Sequence, residues 1–411
     1  MNSLSIYRDQ DLVGRLQLDA DGRFVFQYEK DWVRNAGNFP ISLTLPLQEQ
    51  PFERDRARPF FANLLPEGEI RRLLAAKFGI SAGNDFKLLE AIGGDCAGAL
   101  SVLPEGSSPP KEGHYRPLSA SELDRIIEGM PRKPLLIAEE GVRLSLAGAQ
   151  NKLPVYCEGD GYFLPEGSFA SSDILKPDIP YVEDSARNEA YCMTLARRIG
   201  LPVPTVLLKD TGKYRYCLVK RFDRAAKPDG RIFRLHQEDF CQALGYMPDR
   251  KYENEGGPNF KDCFRIVESK SRQPAADKKA LIQWAIFNFL IGNADAHAKN
   301  IALLISEEGI RLAPFYDLIS TAVYPEFSAK LAMKIGGEYD RGKIFRRHWK
   351  RFAEEAGVKE NFVIGLFEEI GTALPVQAEE EFVHFTREFG GKDTILRITQ
   401  IIKESCVSVR L

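Results

Sequence analysis

The segment that decides the fold is IQWAIFNFLIGNADAHAKNIALLI, residues 282–305. Its nearly all-apolar start predicts a buried helix, and IALLI at its end predicts a buried strand. Between the two stands a short polar loop, residues 293–300, which is therefore expected to be held rigidly at one mouth of the core. Rigid loops on a packed scaffold are where catalytic side chains usually stand. The loop supplies four such candidates: Asp295, His297, Lys299 and Asn300.

The spacing within this loop points to phosphoryl transfer. Asp295 and Asn300 stand five residues apart, as in the D-x-x-x-x-N catalytic loop of protein kinases, where the Asp accepts the hydroxyl proton and the Asn holds magnesium. A strand-turn-strand pattern, IALLISEEGIRLAPFYD, then leads to Asp317. A hairpin would return the chain to the same end of the sheet, so Asp317 is predicted to share Mg²⁺ with Asn300. Leu318 and Ile319 follow it, in place of the Phe-Gly of kinases.

Other roles for these residues stay open. Asp, His and Asn are common turn formers and helix caps, and each residue taken singly is explained that way. The joint spacing and the buried flanks favour a site. His297 stays open between an ATP contact and a local hydrogen bond.

A kinase also needs a strand lysine and a loop for the ATP phosphates. Lys176 ends the apolar run DIL, and Glu189, in the apolar-periodic segment SARNEAYCMTLARRIG, is a candidate ion-pair partner; a solvated helix Glu is the alternative. The loop candidate runs from Ala147 to Lys152, where Ala147, Gly148 and Ala149 allow close approach of an anion to backbone N–H groups. It matches neither GxGxxG nor the P-loop, so an ordinary hairpin turn is the alternative.

Outward from this centre, the sequence predicts an α+β protein with several parts. Within residues 1–105, strand and turn signals alternate first, and apolar residues at helical spacing follow from Phe60 to a stop at Gly79. This pattern predicts a small N-terminal α+β subdomain. Residues 106–119 are rich in Pro, Gly and Ser and predict a linker. A sheet-rich lobe over 120–236 and a helical lobe over 237–411 complete the predicted two-lobe, protein-kinase-like fold.

Composition narrows the class of protein. Lys plus Arg (56) nearly balances Asp plus Glu (58), a net charge of -2, which argues against a freestanding nucleic-acid binder. Residues 334–351 nevertheless carry seven basic side chains against two acidic ones, which predicts either a solvated face or a local contact with DNA phosphates. The seven scattered cysteines suit a reducing, cytoplasmic location. The 15-residue stretch 280–294 is too short for a membrane span of about 20 residues.

Ten segments, in this order, resemble the HipA-type serine/threonine kinase toxins of bacterial toxin–antitoxin modules. The resemblance covers most of the chain, because these segments begin near the N-terminus and continue into the helical half. They are ISLTLPL (41–47), FFANLLPEG (60–68), IGGDCAGA (92–99), SLAGAQNKL (145–153), DILKP (173–177), LVKRFDR (218–224), RLHQEDFCQALG (234–245), KYENEGGP (251–258), IGNADAHAKN (291–300) and LAPFYDLIS (312–320).

The resemblance implies a role for each matched position. Asp295 would accept the proton, Asn300 and Asp317 would hold Mg²⁺, and Ser145 would be the serine that such kinases phosphorylate to inactivate themselves. The remaining matched positions would bind ATP: Ala147, Gly148, Ala149, Gln150, Asn151, Lys152, Lys176, Lys220, Arg221, Phe222, His297, Ala298, Lys299, Asn300, Tyr316 and Asp317. Lys220 stands where an acidic residue is expected before Arg-Phe-Asp, which leaves its side-chain role open.

The resemblance also implies partners. They are a HipB-type helix-turn-helix antitoxin, an aminoacyl-tRNA synthetase as protein substrate, and operator DNA reached through the antitoxin, with the basic residues 341–351 as a further DNA contact. Two rival functions remain at this point: a small-molecule kinase of the aminoglycoside or sugar type, and a catalytically dead scaffold that binds antitoxin and DNA.

Overall fold

The computed structural model describes residues 3–132, 147–148, 150–226 and 230–408. Ser145 and Ala149, two of the predicted site residues, lie outside these ranges. No helix among the described residues is long and apolar enough to cross a membrane.

Residues 3–104 form an N-terminal unit with its own hydrophobic core. Four antiparallel strands lie in the order β3-β2-β1-β4, and phenylalanine rings fill the space beneath them, with Phe26 and Phe61 5.6 Å apart. The elements of this unit are β1 (Ser3–Arg8), β2 (Asp11–Leu18), β3 (Phe24–Tyr28), α1 (Lys30–Arg34), α2 (Arg58–Ala62), α3 (Gly68–Phe78), α4 (Asp85–Ile92) and β4 (Leu100–Pro104).

The helix predicted from Phe60 to Gly79 is broken in the structure. Gly79 ends α3 in the left-handed conformation, as predicted, but α2 ends at Ala62 and α3 begins only at Gly68. Pro66 lies in the gap, and a proline inside a helix removes a backbone donor and clashes with the preceding turn. Asn63, Leu64 and Glu67, in or beside this break, line the cavity described below.

The second unit is a six-stranded antiparallel sheet in the order β5-β7-β6-β8-β10-β9. Helix α6 packs on β9 and β10, so its buried face covers the end of the sheet that these two strands form. Strand β5 lies inside the interval 106–119 and pairs with β7. The elements are β5 (Gly113–Leu118), α5 (Ala120–Gly129), β6 (Leu153–Glu158), β7 (Gly161–Gly167), β8 (Asp173–Pro177), α6 (Ser185–Arg198), β9 (Val206–Asp210) and β10 (Arg215–Lys220).

The remaining chain is mainly helical and is built around α9, whose second half is almost entirely buried. Gly292 ends α9 with φ +70°, in the left-handed conformation that glycine adopts most readily. The elements are β11 (Arg224–Ala226), β12 (Ile232–Arg234), β13 (His236–Asp239), α7 (Phe240–Leu244), α8 (Phe260–Lys270), α9 (Pro274–Ile291), β14 (Ala302–Ser306), β15 (Gly309–Leu312), β16 (Lys330–Ile335), β17 (Glu338–Asp340), α10 (Arg346–Glu355), α11 (Glu360–Phe389) and α12 (Lys392–Ser408).

The helix, loop and hairpin predicted around residues 282–317 are confirmed. Strands β14 and β15 form an antiparallel hairpin in which Leu303 faces Leu312. The amide of Ala313 then donates to the carbonyl of Ala302 at 2.9 Å, so the chain returns to the start of β14. This return brings Asp317 to the same cavity as the loop that precedes β14.

Candidate active site

A cavity of about 370 Å³ lies between the sheet-rich and helical lobes. We call it the nucleotide cavity, after the ligand that the sequence predicts for it. The N-terminal unit also reaches it through Asn63, Leu64, Glu67 and Ala97. Two described residues of the predicted ATP set, Asn151 and Ala298, are not part of its lining; Ala298 is fully buried beneath the loop. The predicted residues that line it are Ala147, Gly148, Gln150, Lys152, Lys176, Lys220, Arg221, Phe222, Asp295, His297, Lys299, Asn300, Tyr316 and Asp317.

Lys176 and Glu189 form the predicted ion pair. Strand β8 and helix α6 bring the Lys176 Nζ atom to 2.6 Å from the Glu189 Oε1 atom, and both side chains are buried. Lys176 also donates to Asp317. Burial alone would lower the pKa of Lys176, but the two carboxylates outweigh it and raise that pKa, so the side chain stays charged.

Asp317 has an unusual backbone conformation. Its φ is +56°, in the left-handed region that few non-glycine residues adopt. Burial would raise the pKa of its carboxyl, but Lys176 and Lys152 reverse the effect and hold that pKa below its usual value. An ionised carboxylate in a strained backbone position is typical of a functional site rather than of a turn.

The loop after α9 presents Asp295 with half of its side chain exposed. The Asn300 amide donates to the Asp295 backbone carbonyl at 2.9 Å, which ties the two ends of the loop together. Tyr252, outside the loop, donates its hydroxyl to the Asp295 carboxylate. The His297 ring lies 3.7 Å from the same carboxylate, and burial lowers the pKa of His297 to about 4, so it is neutral at pH 7.

Two family models match this chain: a HipA N-terminal domain over residues 4–103 and a HipA-like C-terminal domain over residues 144–378. The second alone spans more than half of the sequence. The chain belongs to the HipA family.

Relatives and a solved structure agree with this assignment. A Sinorhizobium fredii protein named as kinase Y4mE is 43% identical over 360 residues, 86% of each chain. The serine/threonine-protein kinase toxin HipA of Shewanella oneidensis is 34% identical over 386 residues, 91% of this chain and 88% of that protein. HipA in the solved complex of Shewanella oneidensis HipA, HipB and operator DNA superposes with a TM-score of 0.87 at 32% identity, covering 99% of this chain and 97% of that one.

The segment predicted as the phosphate loop is contacted by the N-terminal unit. Gly148 has φ +108°, and the Glu67 amide donates to its carbonyl at 3.1 Å. A Cβ at Gly148 would lie 2.9 Å from the Lys152 Nζ atom, so a side chain there would displace that lysine. Lys152 itself donates to the Ala147 carbonyl. Burial lowers the pKa of Lys152 to about 8, which leaves its charge sensitive to pH near neutrality.

Lys299 is bound underneath the cavity rather than pointing freely into it. Its Nζ atom lies 2.6 Å from the Asn63 Oδ1 atom and 2.9 Å from the Asp239 Oδ2 atom. Glu67 is 3.7 Å away and also accepts from Lys251 at 2.9 Å. Lys299 therefore fastens the N-terminal unit to the helical lobe beside the site.

Lys220, at the end of β10, and the two residues after it also line the cavity. Lys220 is half-exposed and 3.5 Å from Asp173. Arg221 is buried and bound to Asp223 at 2.7 Å, so its side chain anchors the end of the strand. Phe222 stacks on Tyr316 with ring centroids 5.4 Å apart.

Sequence reasoning did not single out several residues at this site, among them Glu67, Asp239, Lys251 and Tyr252. The segments that carry them, PEG, QED and KYENEGGP, all contribute to the family resemblance. The break at Pro66 was a signal for the first, since a proline inside a helical pattern marks a loop. Nothing in a local pattern shows that Tyr252 meets Asp295, because the two are 43 residues apart.

Proposed function

We propose that this HipA-family chain transfers the γ-phosphate of Mg-ATP to a serine or threonine of a protein. One observation carries the proposal. The Lys176–Glu189 ion pair with Asp317 and the loop that holds Asp295 and Asn300 line one cavity of about 370 Å³. A phosphate-binding lysine, a metal-binding carboxylate and a proton acceptor are the parts that protein kinases need.

The chemistry follows from where these groups stand. The acceptor hydroxyl oxygen forms a bond to the γ-phosphorus while the bond from that phosphorus to the β–γ bridging oxygen breaks. The hydroxyl proton passes to Asp295, which is half-exposed and held by Asn300 and Tyr252. Lys176 and Lys152 place positive charge at the phosphates.

The donor set fits magnesium. Mg²⁺ prefers oxygen ligands and is commonly held by one or two carboxylates together with the substrate phosphates and water. Asp317, whose carboxyl is ionised, and the amide oxygen of Asn300 would hold it. When bound, the ion would neutralise charge on the phosphates.

Regulation and partners belong to the same proposal. Autophosphorylation at Ser145, ahead of the loop at Gly148, would add about two negative charges beside the ATP phosphates and displace that loop.

Membership of the HipA family and the similarity to HipA in a complex with HipB and operator DNA support a HipB-type antitoxin and, through it, operator DNA as partners. An aminoacyl-tRNA synthetase remains the proposed protein substrate. A cytoplasmic location is part of the proposal, since seven scattered cysteines suit a reducing compartment.

The basic residues 341–351 offer less free charge than their number indicates. Arg346 lies 3.0 Å from Glu360 and Lys343 3.1 Å from Asp340, while Arg341 is largely buried and donates to Ser405. A direct DNA contact would rest on the exposed side chains of Arg347, Lys350 and Arg351.

The test is incubation with Mg²⁺ and γ-³²P-labelled ATP, first of the protein alone and then with a panel of aminoacyl-tRNA synthetases, with mass spectrometry to locate the label. We expect label on Ser145 and on one synthetase. Label on an alcohol metabolite with none on protein would favour a small-molecule kinase. ATP binding without any transfer would favour a dead scaffold.

A further inference from the structure

A second cavity, the acceptor cavity below, adjoins the loop that holds Asp295. Its volume is about 480 Å³. Among the described residues, Asp295 is the one that lines both cavities. A general base in phosphoryl transfer must face the phosphate on one side and the attacking hydroxyl on the other. The shared carboxylate therefore stands where the two substrates would meet.

The acceptor cavity differs in chemistry from its neighbour. Its walls include Phe327, Leu331, Ala332 and Ala294, and the hydroxyl end of Tyr252 completes the side next to Asp295. Asn254, Glu255, Thr321, Ser328, Lys330 and Tyr339 also line it, so polar side chains stand beside the apolar ones. Such a wall favours a polypeptide segment over a phosphate or a sugar, because its apolar side chains and aromatic rings offer contact area to an apolar residue while its polar groups can meet the peptide backbone.

Phe327 adds an independent observation. Its ring is 44% exposed, although it contacts the ring of Tyr324, and it lies at the wall of this cavity. A large aromatic side chain left partly exposed beside a cavity is typical of a contact surface for a protein partner.

We propose that the acceptor cavity holds an apolar side chain of the protein substrate, close in sequence to the phosphorylated serine or threonine. The inference rests on the proposed function and defines its substrate class. The occupant is an uncharged, extended segment with one large apolar residue near the acceptor. Tyr252 keeps one oxygen of Asp295 engaged, and the exposed remainder of that carboxylate accepts the proton of the incoming hydroxyl.

The experiment uses a positional-scanning library of serine peptides with the full chain and Mg-ATP. We expect Leu, Met or Phe to be preferred at one position within a few residues of the serine, by about tenfold, which is the usual discrimination of an apolar pocket. The variant Phe327→Ala removes one apolar wall, and Ser328→Trp fills the cavity from an exposed position. Each should raise KM for the preferred peptide about five- to tenfold with kcat little changed, as loss of uniform binding does.

The matched control is Phe362→Ala. Phe362 is 42% exposed on α11 and lines neither cavity, so peptide preference and KM should equal those of the parent protein. Transfer without any apolar preference, or a preference that survives both cavity variants, would overturn this inference and leave the kinase standing. A protein that binds Mg-ATP but labels neither itself nor any peptide would overturn the kinase and this inference together.

Discussion

The two cavities share Asp295 and are otherwise opposites. The nucleotide cavity is crowded with lysines that are paired to carboxylates, namely Lys176, Lys251 and Lys299. The acceptor cavity has one lysine, Lys330, together with Glu255, and its walls mix polar side chains with apolar and aromatic ones. Under the proposed function this difference lets one carboxylate serve two substrates, because the lysine-rich wall would hold a polyanion and the mixed wall a polypeptide.

The cavities also differ in how the chain builds them. The nucleotide cavity draws residues from Asn63 to Ile319 and from all three units of the fold. The acceptor cavity is made within the helical part, from residues 252–255, 294–295, 321 and 327–339. Changes at the buried ion pairs of the nucleotide cavity should therefore alter folding as well as activity, whereas changes at exposed residues of the acceptor cavity, such as Phe327, should act mainly on activity.

The largest effect is expected at the shared residue. Replacing Asp295 by Asn keeps the shape of the side chain but removes the proton acceptor, so phosphate transfer should fall by about 10²- to 10⁴-fold. Mg-ATP affinity, measured by calorimetry, and the melting temperature should change little because the side chain is half-exposed. Undiminished phosphorylation by the folded variant would remove Asp295 from the mechanism.

The next largest effect, on both the free energy of unfolding and Mg-ATP binding, is expected at Lys176. Lys176→Met leaves Glu189 buried without its partner, which should cost about 3–5 kcal/mol in denaturant unfolding, and Mg-ATP binding should be lost. The double variant Lys176→Met, Glu189→Leu should recover most of the stability but none of the binding. A single variant as stable as the parent would show that the pair contributes nothing to folding.

Tyr252 contacts Asp295, the residue that lines both cavities. Tyr252→Phe removes one hydrogen bond to the Asp295 carboxylate, and bonds to charged groups contribute about 1.5–3 kcal/mol. We expect kcat to fall about tenfold or somewhat more while KM for ATP stays constant. A variant in which KM for ATP rises with kcat unchanged would place Tyr252 with the nucleotide instead.

The smallest effect is a pH dependence at Lys152, whose pKa is about 8 in the folded chain. Its charge is present below that pKa and lost above it, so Mg-ATP affinity should fall about fivefold between about pH 8 and about pH 9. Stability should rise over the interval from about 8 to the usual lysine value, because there the unfolded chain binds more protons. Lys152→Met should bind more weakly and show no such slope; a slope that persists would assign the titration elsewhere.

The parts of the site that sequence reasoning predicted are those written in local patterns. The buried helix before Asn293, the strand after Asn300 and the hairpin to Asp317 follow from runs of apolar residues and a turn. Lys176 was a candidate because it ends such a run, and Glu189 because it lies in the apolar-periodic helical segment that follows. The unbroken helix predicted from Phe60 to Gly79 was wrong, because the helical spacing of apolar residues was given more weight than Pro66, which interrupts it.

By itself, the sequence determined which elements form and which side chains stand at their ends, because the period of apolar residues encodes the burial of each element against a core. Tertiary structure alone decided which of those ends meet. It brought Glu67 to the phosphate loop, bound Lys299 beneath the cavity and placed Tyr252 on Asp295. It also created the acceptor cavity. Ion pairs and cavities join positions that are far apart in the chain, and no local pattern of residues records those distances.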